Sequence, residues 1–323
     1  MRTQMPNGIK FMIRKLVWSC PYPIAESLYH LSFSLKSAGK TPVLVYQMGK
    51  VGSTSVCASL KKARPETPLH HIHVLTDKGI AWEEVHHFGQ KRGWFRHSRS
   101  PNGISTMRCK YLAKQWARDK CRKPWKVITL TRDPIARNVS SLLATIERWI
   151  PDFEERRANN GLDLAQLSEF YLAEFHQKLD PYEMPFQWFQ VELEQFFGID
   201  ILESEFPRTT GYKIYSGDGV ELLLIKLEYL DRCFTEAIKK FLGFDIALVN
   251  ARMAVDSSYS PVYKAFLQSL RLPDDYIKKM YACEYVRHLY SDSEIADFTK
   301  KWKRETTEQQ KRNGYEPPAQ RAV

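Results

Sequence analysis

Lys50 stands in a run, Gly49-Lys50-Val51-Gly52-Ser53-Thr54-Ser55, whose residue types suit the holding of a multiply charged anion. Two glycines let a backbone turn tightly and come close to a ligand, and a hydroxyl at Ser53 or Thr54 can cap a helix start. The amides at that start, the positive end of the helix dipole and the Lys50 ammonium all favour negative oxygens, so a phosphate group is the expected occupant. The run is not a nucleotide triphosphatase loop of the form G-x-x-x-x-G-K-[ST]. Val51 follows the lysine, and Leu44 stands where the first glycine belongs. A second basic position is Arg132, in Thr131-Arg132-Asp133-Pro134, where Asp133 can cap a helix that Pro134 begins. Ser140 follows eight residues after Arg132. His70, His71 and His73 could carry protons; strand alternation sends His70 to the face opposite His71 and His73, which argues against a metal triad. No metal-ligand spacing is convincing elsewhere.

These residues need strands and helices to place them. The β-branched run at 42–47 predicts a strand that stops at the Lys50 loop, and a helix follows over 53–63, before Pro65. A second strand is expected at 69–75, closed by a turn at Thr76-Asp77-Lys78-Gly79, with helices at 81–90 and 105–119 around a surface loop at 93–103. The run 125–130 predicts a strand feeding a helix from Pro134, with Ile135, Val139, Leu142, Leu143 and Ile146 on its buried stripe and Arg137, Ser140 and Ser141 largely off it. Further on, helices are expected at 24–35, 162–179 and 187–197, and a hairpin at 212–215 and 221–226. Strand–helix alternation argues for an α/β fold: a parallel central sheet flanked by helices, ligands at the strands' carboxyl ends, and a largely helical C-terminal half.

At 323 residues, with 43% hydrophobic and 26% charged residues, the chain suits one large α/β domain or two small ones. The reading is a helical extension at 1–40, one domain at 41–305 and a polar tail at 306–323. No apolar stretch is long enough to span a bilayer. The first eighteen residues read as part of an amphipathic helix, with weak peripheral membrane attachment as the alternative. Six cysteines without a C-x-x-C pair suggest reduced packing residues and a cytoplasmic setting, although the count is compatible with a Golgi enzyme lacking its anchor. The net charge is +11, and residues 91–126 hold twelve Lys or Arg against one acid, Asp119. That bias reads either as a solvated helix face or as a funnel for an anionic ligand. Nucleic acid is a poorer partner, because no aromatic-and-basic module is present.

Lys50-Val51-Gly52-Ser53-Thr54 resembles the 5′-phosphosulfate loop, Lys-x-Gly-[ST]-[ST], of sulfotransferases that use 3′-phosphoadenosine-5′-phosphosulfate (PAPS). Arg132-Asp133-Pro134-Ile135-Ala136-Arg137-Asn138-Val139-Ser140 looks like that family's 3′-phosphate segment, in which an arginine and a serine eight residues later grip the phosphate. Both segments follow strands and occur in the family's order. Over roughly 41–302 the chain looks most like bacterial sulfotransferase-like proteins labelled capsular polysaccharide synthesis proteins.

The resemblance implies the sulfotransferase fold, a P-loop-like relative. It also implies transfer of a sulfuryl group from PAPS, without a metal, to a carbohydrate hydroxyl, with a capsular or acidic glycan among the candidate acceptors. Gly49, Lys50, Val51, Gly52, Ser53, Thr54 and Ser55 would hold the 5′-phosphosulfate end, Arg132 and Ser140 the 3′-phosphate, and Lys50 would stabilise the departing phosphate oxygen. His73 is the first candidate for the base, with His71, His97 and Glu228 behind it. Two other readings stand beside this one: an ATP-dependent phosphotransferase, and a non-catalytic nucleotide- or glycan-binding protein of the same fold.

Overall fold

The computed structural model describes residues 22–37, 42–88, 101–119, 124–144, 146, 150, 152–159, 163–177, 187–249 and 260–303. The expected surface loop up to residue 100, the N-terminal helix, His97 and the C-terminal tail lie outside these residues. Two compact units divide the chain: 1–132 with 180–253, and 133–179 with 254–323.

The first unit is built on a five-stranded sheet in the order β2-β1-β3-β5-β4. β1 (Val43–Tyr46), β2 (Leu69–Ile72), β3 (Trp125–Thr131) and β5 (Val220–Lys226) run parallel, and β4 (Tyr212–Gly217) closes one edge antiparallel to β5. β1 is buried at all four positions and β5 at six of seven, the near-continuous apolar pattern of strands covered on both faces. Its helices are α1 (Tyr22–Ser37), α2 (Ser53–Ala63), α3 (Asp77–Phe88), α4 (Pro101–Asp119) and α8 (Leu230–Leu242). The π-helix Phe189–Glu194 belongs to this unit as well.

Among the boundaries that differ from the sequence expectation, three have a clear local reason. β2 stops at Ile72 because the amides of Leu75 and Thr76 turn away to the Glu192 carboxylate, at 2.8 and 3.1 Å. The expected turn at Thr76–Gly79 instead opens α3: Thr76 Oγ1 accepts from the Gly79 amide at 3.0 Å, a side-chain bond of the capping type. α4 begins at Pro101, inside the expected loop, proline being well suited to a first helical position.

The second unit is helical: α5 (Pro134–Ala144), α6 (Phe153–Ala158), α7 (Leu164–Leu172) continued by the π-turn Ala173–Gln177, and α9 to α12 (Ser260–Ser269, Asp274–Ala282, Glu284–Leu289, Asp292–Trp302). Asp133 anchors it. One carboxylate oxygen accepts from the Ile135 amide at 3.1 Å, capping α5, and from the Tyr281 hydroxyl at 2.9 Å; the other accepts from the Trp302 indole at 2.8 Å. The cap for α5 therefore also ties α10 and α12 to its start. α5 is more deeply buried than a single stripe requires. Arg137 and Asn138 are buried beside Ile135 and Val139, since the Arg137 guanidinium donates to Asn138 Oδ1 at 3.0 Å and Asn138 Nδ2 donates to the Tyr276 hydroxyl at 3.2 Å. Asn138-Val139-Ser140 has the Asn-x-Ser form of a glycosylation acceptor, but Asn138 is buried inside a helix, which does not suit that role.

Candidate functional site

Parallel strands end on one side of the sheet, and four such ends supply the site: β1 leads into the Lys50 loop, β2 into His73, β3 into Arg132, and β5 into a 3₁₀ turn, Leu227–Tyr229. The loop from Gln47 to Gly52 takes its shape from two residues in the left-handed region, Lys50 at φ 72° and Gly52 at φ 87°. The glycine at 49 is not used for this purpose. For Gly52 the absent side chain matters twice, because a Cβ there would lie 2.3 Å from Leu227 Cδ1. Lys50 adopts a backbone conformation unfavourable for a lysine and leaves its side chain exposed, a form of local strain that collects at ligand clamps.

Gly52 is also the N-cap of α2, and no side chain caps the helix. Neither Ser53 nor Thr54 takes the capping role their position suggests. Ser53 is buried and its hydroxyl turns inward, 2.8 Å from Gln47 Nε2 and 2.9 Å from His71 Nε2. Thr54 is exposed, Ser55 half-buried, and Val51 fully buried as a core residue. The loop thus has an inward side of Val51 and Ser53 and an outward side of Lys50 and Thr54. Beside it, the Arg132 guanidinium donates to the Lys50 carbonyl at 3.1 Å, which joins the two basic positions found in sequence. Ser140 is half-buried on α5, within the helical unit.

The histidine pair lies at the end of β2. His71 is in register with Val45, and the His71 and His73 rings meet edge to face at 5.0 Å, as same-face residues should. His73 Nδ1 lies 2.8 Å from the Gln47 carbonyl, so Nδ1 carries the proton and Nε2 is the basic nitrogen. A protonated Nδ1 cannot accept, so the 3.4 Å approach of Gln47 Nε2 to the same atom is contact rather than a hydrogen bond. The Trp188 indole donates to the His73 carbonyl at 2.8 Å and fixes the backbone there. Burial lowers the His71 pKa to about 4, helped by the neighbouring His73, Arg108 and Lys61. His71 is therefore neutral at physiological pH and bonded to Ser53, the behaviour of a positioning residue, whereas His73 has its Nδ1 engaged by the Gln47 carbonyl. Glu228 is exposed on the 3₁₀ turn whose Leu227 packs against Gly52.

Two residues that sequence reasoning passed over complete the site. Gln47 is fully buried and links the β1 end to Ser53 and His71, and among the described residues its Oε1 has no hydrogen-bond partner. Glu192 is fully buried: its carboxylate accepts from the Tyr46 hydroxyl, the Leu75 and Thr76 amides and Thr76 Oγ1. Those bonds pin the end of β1 and the chain leaving β2, the two segments that carry the loop and the histidines. Among the described residues no three His, Cys, Asp or Glu side chains converge as metal ligands would.

Comparison with known proteins adds one relation. No curated protein and no solved structure matches the chain. The family described as "Putative capsular polysaccharide synthesis protein" matches residues 159–291, a segment that begins after both the Lys50 loop and Arg132 and ends at the cap of α12.

Proposed function

We propose that the protein is a sulfotransferase of PAPS-dependent type, with the sulfotransferase fold, that sulfates a carbohydrate hydroxyl in capsular or surface polysaccharide synthesis. The observation that carries the reading is the contact of Arg132 with the Lys50 carbonyl at 3.1 Å, which brings two anion-binding segments to neighbouring parallel strand ends. The surroundings fit a donor with phosphate at both ends. α2 has no side-chain cap to compensate its dipole, and Lys50 and Arg132 are both cationic. The match to a family named for capsular polysaccharide synthesis supports the glycan side of the proposal.

Bound at the loop, the donor supplies the sulfuryl group. The chain's own residues then divide the work. The first amides of α2, with Thr54 and Ser55, hold the 5′-phosphate, and Arg132 holds the 3′-phosphate and sets register. Lys50 places positive charge where negative charge grows on the departing oxygen. His73, its tautomer set by the Gln47 carbonyl, takes the acceptor's proton on Nε2. His71 and Gln47 hold Ser53 so that the loop keeps its form.

The test is sulfuryl transfer from radiolabelled PAPS to a panel of capsular glycans by wild type, Lys50→Ala and His73→Ala. Label transferred by wild type and lost in both variants, with unchanged circular dichroism, is the expected result. Full activity in Lys50→Ala, or turnover of ATP with Mg²⁺ in place of PAPS, would overturn the assignment.

A further inference from the structure

Lys226 is fully buried, a rare state for a lysine, because an ammonium gives up its hydration when it leaves water. It is the last residue of β5 and pairs in register with Thr131, the residue before Arg132. Its Nζ donates to the Arg208 carbonyl at 3.2 Å and lies 4.3 Å from the centre of the Tyr229 ring, within cation–π range. The Arg232 guanidinium lies 4.1 Å from the same ring centre. Gly211, at φ 79°, makes room for that ring, since a Cβ there would come within 2.5 Å of Tyr229, and its carbonyl accepts from the Lys226 amide at 2.8 Å. Lys226 thus joins the turn at 207–211 to the 3₁₀ turn Leu227–Tyr229.

Both turns lie on the side of the sheet that carries the Lys50 loop. β4 runs antiparallel to β5 with Tyr212 opposite Ile225, so the segment before β4 reaches the carboxyl end of β5. Leu227, the residue after Lys226, is the side chain that lies against Gly52 of the loop. Packing alone does not call for a charge at 226. The Arg208 carbonyl belongs to an exposed residue that water can serve, and an apolar side chain of similar length fills the space without the desolvation penalty. A buried ammonium instead supplies positive charge that solvent screens weakly, one strand away from Arg132.

We infer that Lys226 is a positioning residue of the anion site: it holds the Leu227–Tyr229 turn against Gly52 and adds a buried positive charge to the field that a bound phosphate meets. The inference rests on the proposed anion site at Lys50 and Arg132, but not on the nucleotide being PAPS. The experiment is calorimetric binding of 3′-phosphoadenosine-5′-phosphate and of inorganic pyrophosphate to the full-length protein, wild type and Lys226→Met, with the melting temperature of each protein measured without ligand. Lys226→Met should bind both anions about tenfold more weakly. Its melting temperature should equal or exceed that of wild type, because methionine removes the cost of a buried charge. Weaker binding without lost stability is the readout that a merely structural lysine would not give. Unchanged affinity would take Lys226 out of the site, and a lowered melting temperature would assign it to the fold alone; either result overturns the inference. Wild type that binds pyrophosphate as tightly as the nucleotide would refute the PAPS reading, while the effect of Lys226 is still read on pyrophosphate. Wild type that binds neither would refute both.

Discussion

Gly52→Ala tests whether the loop is built as described. Alanine at φ 87° carries the left-handed penalty of about 1–2 kcal/mol, reduced by somewhat under 1 kcal/mol because alanine loses less chain entropy on folding. The new Cβ would also lie 2.3 Å from Leu227 Cδ1, the far end of a half-buried side chain that can rotate away at roughly 1 kcal/mol of off-rotamer strain. The sum is about 2 kcal/mol, or a fall in melting temperature of roughly 4–8 °C for a unit of this size. Only the steric part depends on the neighbour, so the Gly52→Ala/Leu227→Ala pair should show a favourable coupling of about 1 kcal/mol. Gly49→Ala is the control. Its backbone is not left-handed and an added Cβ meets nothing within 4 Å, so stability should hardly change. Urea melts of the four variants decide the matter. A Gly52→Ala protein as stable as wild type, or a Gly49→Ala protein equally damaged, would refute this account of the loop.

Other outcomes follow from the same contacts. Because His71 titrates near 4 when folded and near 6.5 when unfolded, the unfolded chain binds the extra proton between those values, and stability falls as pH drops through that window. The effect is on the order of 2 kcal/mol after allowance for partial exposure, and His71→Gln should remove it from the pH dependence of melting. Glu83 has the opposite sign. Burial raises its carboxyl to about 7, so it stabilises at low pH and that stabilisation is lost as pH rises from about 4.5 through 7; Glu83→Gln should abolish this loss and be more stable than wild type at pH above 7. Asp133→Ala leaves the Ile135 amide, the Tyr281 hydroxyl and the Trp302 indole without their acceptor, which should cost roughly 3 kcal/mol or more in a urea melt.

Much of the sheet could be read from the chain because its signals are local. The run Val43–Tyr46, the helix Ser53–Ala63, the strand from Trp125 and the hairpin strands β4 and β5 each carry their own periodicity and punctuation. So does the final helix, whose Ser291 and Glu294 form the reciprocal capping box. What escaped sequence reading depends on partners far along the chain. Gln47 is an ordinary strand-end residue until β2 brings His71 beside it, and Asp133 looks like a simple cap until Tyr281 and Trp302 arrive. Glu192 sits in a stretch whose apolar pattern suggests an α-helix, but the π-helical winding shifts the register and turns the carboxylate inward. Lys50, not Gly49, takes the left-handed turn, a choice that propensity alone argues against.

The most direct test of the central claim is calorimetric binding of 3′-phosphoadenosine-5′-phosphate, with 5′-AMP, ADP and ATP as competitors, in wild type and Arg132→Ala. The account predicts strong preference for the 3′-phosphorylated nucleotide, lost when the guanidinium that bonds the Lys50 carbonyl is removed. Equal binding of all four nucleotides, or a preference for ATP that requires Mg²⁺, would contradict it.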